Sequence, residues 1–262
     1  MIIFQLDISY RAYKVWWRNF LVYIRTWLTN LLAPILEPIL YLFAFGFGLG
    51  AIVEKINYQG MEISYIKFFA PAIIAITTLN YSFFETTYGS FVRMYYQKTF
   101  DSIISTPLSI EDVIMGEVLW GATKSIMAGT IMLIVISFYG LMEYPSALLI
   151  IPLSFFSGLL FGALGLIFTS IVTRIDMFNI PVFLLFLPMY LFSGTFFPLE
   201  NLPKWAQKIA YIFPLMHFTY LIRNSAMGIF NMQMLVSLLF LIVLCLLFIY
   251  MAIVWMKRRL IK

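Results

Sequence analysis

A chain of 262 residues is long enough for one or two soluble domains, but 63% of it is apolar, only 11% is charged, and its mean hydropathy is +0.95. Soluble domains run at about 45–50% apolar and about 25% charged, so this chain must take lipid as its main solvent. One cysteine and one histidine exclude an internal disulfide and a His/Cys zinc site, and the net charge of +5 sits at the ends of apolar runs, not on a basic face for nucleic acid.

The N-terminal stretch "MIIFQLDISYRAYKVWWRNF" lacks the basic start, apolar core and small-residue cleavage site of a signal peptide. Residues 5–25 alternate aromatic and basic side chains, which predicts an amphipathic helix lying on the cytosolic face at headgroup level. Six segments approach the roughly 20 apolar residues that a membrane helix needs. They cover residues 27–50, 68–92, 113–140, 147–172, 177–197 and 234–255. The expected fold is therefore an all-α integral membrane protein with six transmembrane helices and no second domain. The second segment is the least clean, being rich in Thr, Ser and Tyr and holding Glu85. Pro34, Pro38, Pro181 and Pro188 should kink their helices, and Gly158, Gly162 and Gly165 should let span four pack closely. The short links "LMEYPS" and "TRID" predict that spans three and four, and four and five, are antiparallel neighbours.

Lys and Arg set the orientation. With both termini cytosolic, eleven fall inside (Arg11, Lys14, Arg18, Arg25, Arg93, Lys98, Arg174, Lys257, Arg258, Arg259, Lys262) and five outside (Lys55, Lys67, Lys204, Lys208, Arg223). In the long outer connection, 198–232, Trp205, Ile209, Ala210 and Phe213 recur at helical spacing between Lys204, Gln207 and Lys208. This pattern predicts an amphipathic segment held against the outer leaflet or re-entering it. His217 reads as a hydrogen-bonded structural residue.

Three sets of residues are candidates for function. In "QKTFDSIISTPLSIEDVIMGE", residues 97–105 form a short helix with Phe100, Ile103 and Ile104 on one face and Lys98, Thr99, Asp101, Ser102 and Ser105 in its polar remainder. Pro107 ends it, and Ser109 with Asp112 caps the re-entry into span three. Taken alone, the apolar face could rest on the membrane or dock another protein. The third set is intramembrane: Glu37, Glu85 and Lys124, with Glu117 nearby. Such charges seek a partner or a cavity. Glu37 and Lys124 are both about 16 Å deep by helical rise, which predicts a contact that Glu85 could join. "GEVLWGATKS" fails as a phosphate loop because Ala122 and Thr123 separate the second glycine from Lys124.

The stretches "AFGFGLG", "FFETTYGSFVRMYYQKTFDSIISTPLSIEDVIMGEVLWGATK" and "LFSGTFFPLENLPKWAQKIAYIFPLMHFTYLIR", in that order, resemble the permease subunits of ABC-2 type exporters. The resemblance covers about residues 10–255 and is greatest to the branch with nodulation-factor and polysaccharide export permeases. It implies one six-span transmembrane domain in the cytoplasmic membrane, paired with a second copy or a paralogous permease. Two separate ATP-binding subunits would hold ATP and magnesium, leaving this chain with no cofactor and no enzymatic activity of its own. The segment Lys98–Ser105 would be the coupling helix on which they dock, and an amphipathic or lipid-linked cargo would be exported. The rival expectation is an ATP-independent channel or secondary transporter, which would need no such partner.

Overall fold

The computed structural model describes residues 8–53 and 55–261. Helix α1 covers Ala12–Arg25, and α2 runs over Trp27–Tyr41 into a π-helical stretch, Leu42–Leu49, and a last turn, Gly50–Ile52. Two short strands, β1 (Lys55–Tyr58) and β2 (Met61–Ser64), precede the long helix α3 (Tyr65–Tyr96). Then come α4 (Thr99–Ile104), α5 (Ile110–Ser137), α6 (Ser146–Ile171) and α7 (Ile175–Phe192). Helices α8 (Lys204–Ala210), α9 (Pro214–Ala226) and α10 (Met232–Leu260) complete the chain. Six helices are long and apolar enough to cross a membrane: α2 from Pro34 onward, α3, α5, α6, α7 and α10. These are the six expected segments with their ends shifted, and the protein is an all-α multi-pass membrane protein.

Helices α3, α5 and α6 form the centre. The second segment looked poorly apolar because it is the most enclosed of the six. Its polar groups face α6: Ser82 Oγ donates to the Gly158 carbonyl (2.5 Å), Thr78 bonds Ser157 (3.0 Å), and the Thr86 carbonyl accepts from Thr169 Oγ1 of α6 (2.8 Å). Such bonds need backbones brought close together, and the glycines of α6 permit it. A Cβ at Gly158 would stand 2.5 Å from Ala122 Cα, and one at Gly162 would stand 2.8 Å from Ser82 Oγ. Of the four prolines expected to distort their helices, Pro38 and Pro181 are followed by π-helical stretches.

Three expectations are corrected. Spans four and five are not packed along their lengths despite the four-residue link; α7 lies on α3 instead, with Phe186 4.2 Å from Phe83 between ring centroids. The connection before α3 holds a hairpin that was not expected, closed by Gln59 and Gly60, both at positive φ (51° and 80°), as a two-residue type I′ turn requires. Helix α1 does not lie across the ends of the bundle. Its stripe of Ala12, Val15, Asn19 and Tyr23 is buried, and it runs beside the first half of α5, from Ser9 at Asp112 to Tyr23 at Trp120 and Lys124. Gly116 admits the approach, since a Cβ there would meet Val15 Cβ at 2.5 Å. Residues 5–7 of the expected helix lie outside the described residues.

One end of the bundle carries α4, both described chain ends and a set of ties between them. Ser9 N–H donates to Asp112 (2.7 Å), Arg11 to the Pro107 carbonyl (2.5 Å), Lys257 pairs with Glu111 (2.5 Å), and Arg259 donates to the Thr169 carbonyl (2.6 Å). The opposite end carries the hairpin, α8 and α9. Of the long connection there, α8 exposes Trp205 and Ile209, whereas α9 is sunk almost wholly into the protein. His217 on α9 bonds the Tyr211 carbonyl through Nε2 (3.0 Å) and Ser237 through Nδ1 (3.1 Å).

The glycine contacts make a matched pair of tests. Gly158→Ala must push against the backbone of α5 and should cost about 1–3 kcal/mol, as overpacking does. Gly48→Ala has no atom within 4 Å of the new carbon and should leave stability unchanged or slightly raised. Thermal melts of the two variants in detergent check this, and equal melting temperatures would refute the close packing.

Candidate functional site

Helix α4 begins at Lys98, whose left-handed backbone (φ 53°) turns the chain sharply out of α3. The helix places Phe100 wholly inside the protein, among Phe91, Met94, Val113 and Ile114, with Ile103 and Ile104 half-buried beside it. This corrects the direction of its apolar face. The stripe serves the chain's own core, and Phe100 is an anchor, not a docking residue. Facing outward are Lys98, Asp101, Ser102 and Ser105, with Thr99 half-buried at the N-terminus. Ser102 Oγ and Ser105 Oγ return to carbonyls one turn back (3.1 and 2.9 Å), so the polar face is held in one arrangement.

After Pro107 the chain re-enters through a complete capping box. Ser109 Oγ accepts from the Asp112 amide (3.0 Å), and the Asp112 carboxylate accepts from the Ser109 amide (3.3 Å). The same carboxylate takes two bonds from Ser9. One acid therefore fixes the start of α5, the exit of α4 and the entry to α1.

Deeper in, a buried ion network spans three helices. Arg93 Nη1 donates to Glu85 (2.8 Å) and Arg93 Nη2 to Glu117 (2.5 Å). Glu117 also accepts from Ser90 Oγ (2.6 Å) and from Asn19 Nδ2 of α1 (2.9 Å). Glu85 also accepts from Trp120 Nε1 (2.9 Å) and faces Lys124 at 3.8 Å. Two carboxylates and two cations cancel, which is the condition for keeping charge away from water. The spacing Glu85, Gly89, Arg93 is what allows it: a Cβ at Gly89 would stand 2.8 Å from Glu85 Oε1 and 3.3 Å from Arg93 Nη1. Two π-helical stretches of α3, Glu85–Gly89 and Val92–Tyr96, carry these residues, and such bulges recur where a helix re-aims side chains.

The structure brings Glu85 and Lys124 together and leaves Glu37 apart. Glu37 accepts from Thr77 Oγ1 (3.4 Å) on α3, while Lys124 points to α1, with Nζ 4.4 Å from the Tyr23 ring centre. Equal depth fixed the level of the two groups but not the direction each faces. Arg93, read from the sequence as a loop cation, is instead the centre of the network. The signal for it was Glu85–Gly89–Arg93 at four-residue steps on one helical face. The network forms one wall of a cleft of about 430 Å³ between α1, α3 and α5, lined by Arg18, Val22, Tyr88, Trp120 and Lys124 among others. Burial lowers the proton affinity of Arg18 there, with Glu117 opposing, and the guanidinium stays charged.

Removing one member of a buried pair strands its partner, at a cost of about 3–5 kcal/mol. Arg93→Met and Glu117→Gln should each lower stability strongly, and the double variant should fall well short of their sum. Additive losses in denaturation would refute the coupling. By contrast, exchanging the charges of Glu37 and Lys124 should give no rescue over either single change.

A family model for the ABC-2 type transporter matches residues 12–227, from α1 through α9, taking in α4, the capped turn and the whole network. Nodulation protein J of Bradyrhizobium diazoefficiens is 34% identical over 215 residues, 82% of this chain and 80% of that protein. Nodulation protein J of Sinorhizobium fredii is 31% identical over 211 residues, 80% of this chain and 79% of that protein. The Inner membrane transport permease YadH of Escherichia coli is 20% identical over 216 residues, 82% of each chain. The chain belongs to the ABC-2 type transporter family.

Proposed function

We propose that this protein is the membrane subunit of an ATP-driven exporter of the cytoplasmic membrane, with both termini cytosolic. Two separate ATP-binding subunits dock on the outward face of α4 and hold the ATP and magnesium. The carrying observation is the anchoring of α4: its apolar side is locked into the core by Phe100 while Asp101, Ser102 and Ser105 face out. A helix held this firmly transmits a push. Movement at α4 passes along the chain into α3 and α5, and through Asp112 and Pro107 into α1. Basic residues gathered at this end, Lys14, Lys98, Arg174, Arg258 and Arg259 among them, support its cytosolic placement.

A second copy, or a paralogous permease, covers the spans this chain leaves bare. Only 12% of the first span and 22% of the fifth are buried, against 72% of the second. The cleft beside α1 places aromatic Tyr88 and Trp120 next to Glu85 and Lys124, a lining that suits an amphipathic or lipid-linked cargo such as a glycolipid.

The test is Asp101→Arg. Asp101 is exposed and its ion-pair partner is the equally exposed Lys98 at 4.0 Å, so membrane insertion and melting should not change. Co-purification with the ATP-binding subunit should fall about tenfold or more, the worth of one reversed charge at an interface, and transport should fall with it. Phe100→Glu should fail differently, by destabilising the chain itself. Normal partner binding and transport in Asp101→Arg would remove the docking assignment.

A further inference from the structure

Packing on α5 does not take α1 out of the headgroup layer. The apolar window of the first span, Pro34–Ile52, has 19 residues, about 28 Å, which fills a hydrocarbon core of about 30 Å. Helix α1 ends at Arg25, before that window opens, and so stands where headgroups lie. It holds three cations, Lys14, Arg18 and Arg25, and no acid. At steps of four and seven residues the three share one strip of the helix surface. A second strip beside it exposes Trp17, Leu21 and Ile24.

Among the described residues none of these cations is paired with a carboxylate. Arg18 donates to neutral oxygens alone, Asn19 Oδ1 at 3.0 Å and Thr99 Oγ1 of α4 at 3.5 Å. Lys14 and Arg18, four residues apart, repel each other, and an anion between them would turn that repulsion into attraction. There is room for one. Both residues line a groove of about 280 Å³ between α1 and α4, together with Val15, Thr99 and Ile103.

We propose that this groove binds one anionic phospholipid, its phosphate between Lys14 and Arg18 and an acyl chain along Trp17 and Leu21. Charge selects an anionic lipid over a zwitterionic one, whose ammonium group the same cations would repel. The aromatic and apolar strip beside the cations selects a lipid over a soluble anion or an acidic protein segment, neither of which needs it. Placement in the cytosolic leaflet rests on the orientation proposed above; the binding does not.

The experiment uses the full chain in a neutral detergent without any ATP-binding subunit, so it stands or falls apart from the transport reading. Dioctanoyl phosphatidylglycerol should raise the melting temperature in a saturable way, and dioctanoyl phosphatidylcholine should need at least tenfold more. Lys14→Gln should weaken phosphatidylglycerol about fivefold, the worth of one cation at an anionic surface. Arg18→Gln should weaken it at least as much, but also loses its bonds to Asn19 and Thr99, so the exposed positions carry the test. Leu21→Ser should weaken the lipid severalfold by removing apolar contact. Lys204→Gln, an exposed cation at the opposite end, should change nothing. Equal potency of the two lipids, or identical responses in Lys14→Gln, Leu21→Ser and wild type, overturns the site. Equal weakening by Lys204→Gln reduces it to general attraction and overturns it too. Stabilisation by inorganic phosphate or an oligoglutamate peptide at the potency of phosphatidylglycerol overturns the lipid as occupant.

Discussion

The carboxylate of Glu117 accepts hydrogen bonds from Asn19, Ser90 and Arg93, and so joins α1 and α3 to α5 at a buried point. In a low-dielectric interior a carboxylate is tolerable only when its lone pairs are filled by donors and its charge is met. That requirement explains several features of the sequence at once. It places an asparagine on the buried stripe of a helix that otherwise presents Ala12 and Val15. It keeps α3 helical past Glu85 so that Arg93 can reach inward, and it forbids a side chain at residue 89. The helix α1, which from composition alone belonged at the headgroup layer, is held along α5 by this bond and by Trp16 to Thr123 (2.7 Å).

Mechanical consequence follows from the same geometry. The ends of α1, α3 and α5 nearest α4 are tied by Asp112, by the Pro107 carbonyl and by the network, while Lys257 and Arg259 bind the end of α10 to Glu111 and to α6. Loose elements lie elsewhere. Helices α2 and α7 are the least enclosed spans, and each has a π-helical stretch following a proline. A tied, enclosed centre is thus flanked by two helices that the chain itself covers little.

Much of this was legible in the sequence wherever a local rule decides it. Apolar length gave the six spans, and Ser109 with Asp112 gave the cap, because both depend on residues within a few positions of each other. What failed were directions. Periodicity put Phe100, Ile103 and Ile104 on one face of α4 but could not say whether that face met a partner or the chain itself. Helical rise put Glu37 and Lys124 at one depth but was silent on azimuth, and the two face different neighbours. Arg93 was hidden because Tyr95 and Tyr96 resemble an interfacial boundary, whereas the helix continues through π-helical turns to Tyr96. Gln59-Gly60 is a weaker turn signal than Asn-Gly, so the hairpin passed unnoticed.

Two buried arginines mark the two ends of the molecule, and their surroundings differ in a way that assigns them different work. Arg93 is met by Glu85 and Glu117, with Lys124 completing the balance, so an arriving anion would have to displace a carboxylate already in place. Such a group is closed to ligands and open to mechanical use. Arg223 is met by two carbonyl dipoles, the Tyr58 hydroxyl and an aromatic face, which stabilise its charge without a carboxylate within ion-pair distance among the described residues. The neutralised arginine is a tie between helices at the end that carries α4. Arg223 fastens α9 to α3 and to Gly194 through backbone carbonyls at the opposite end.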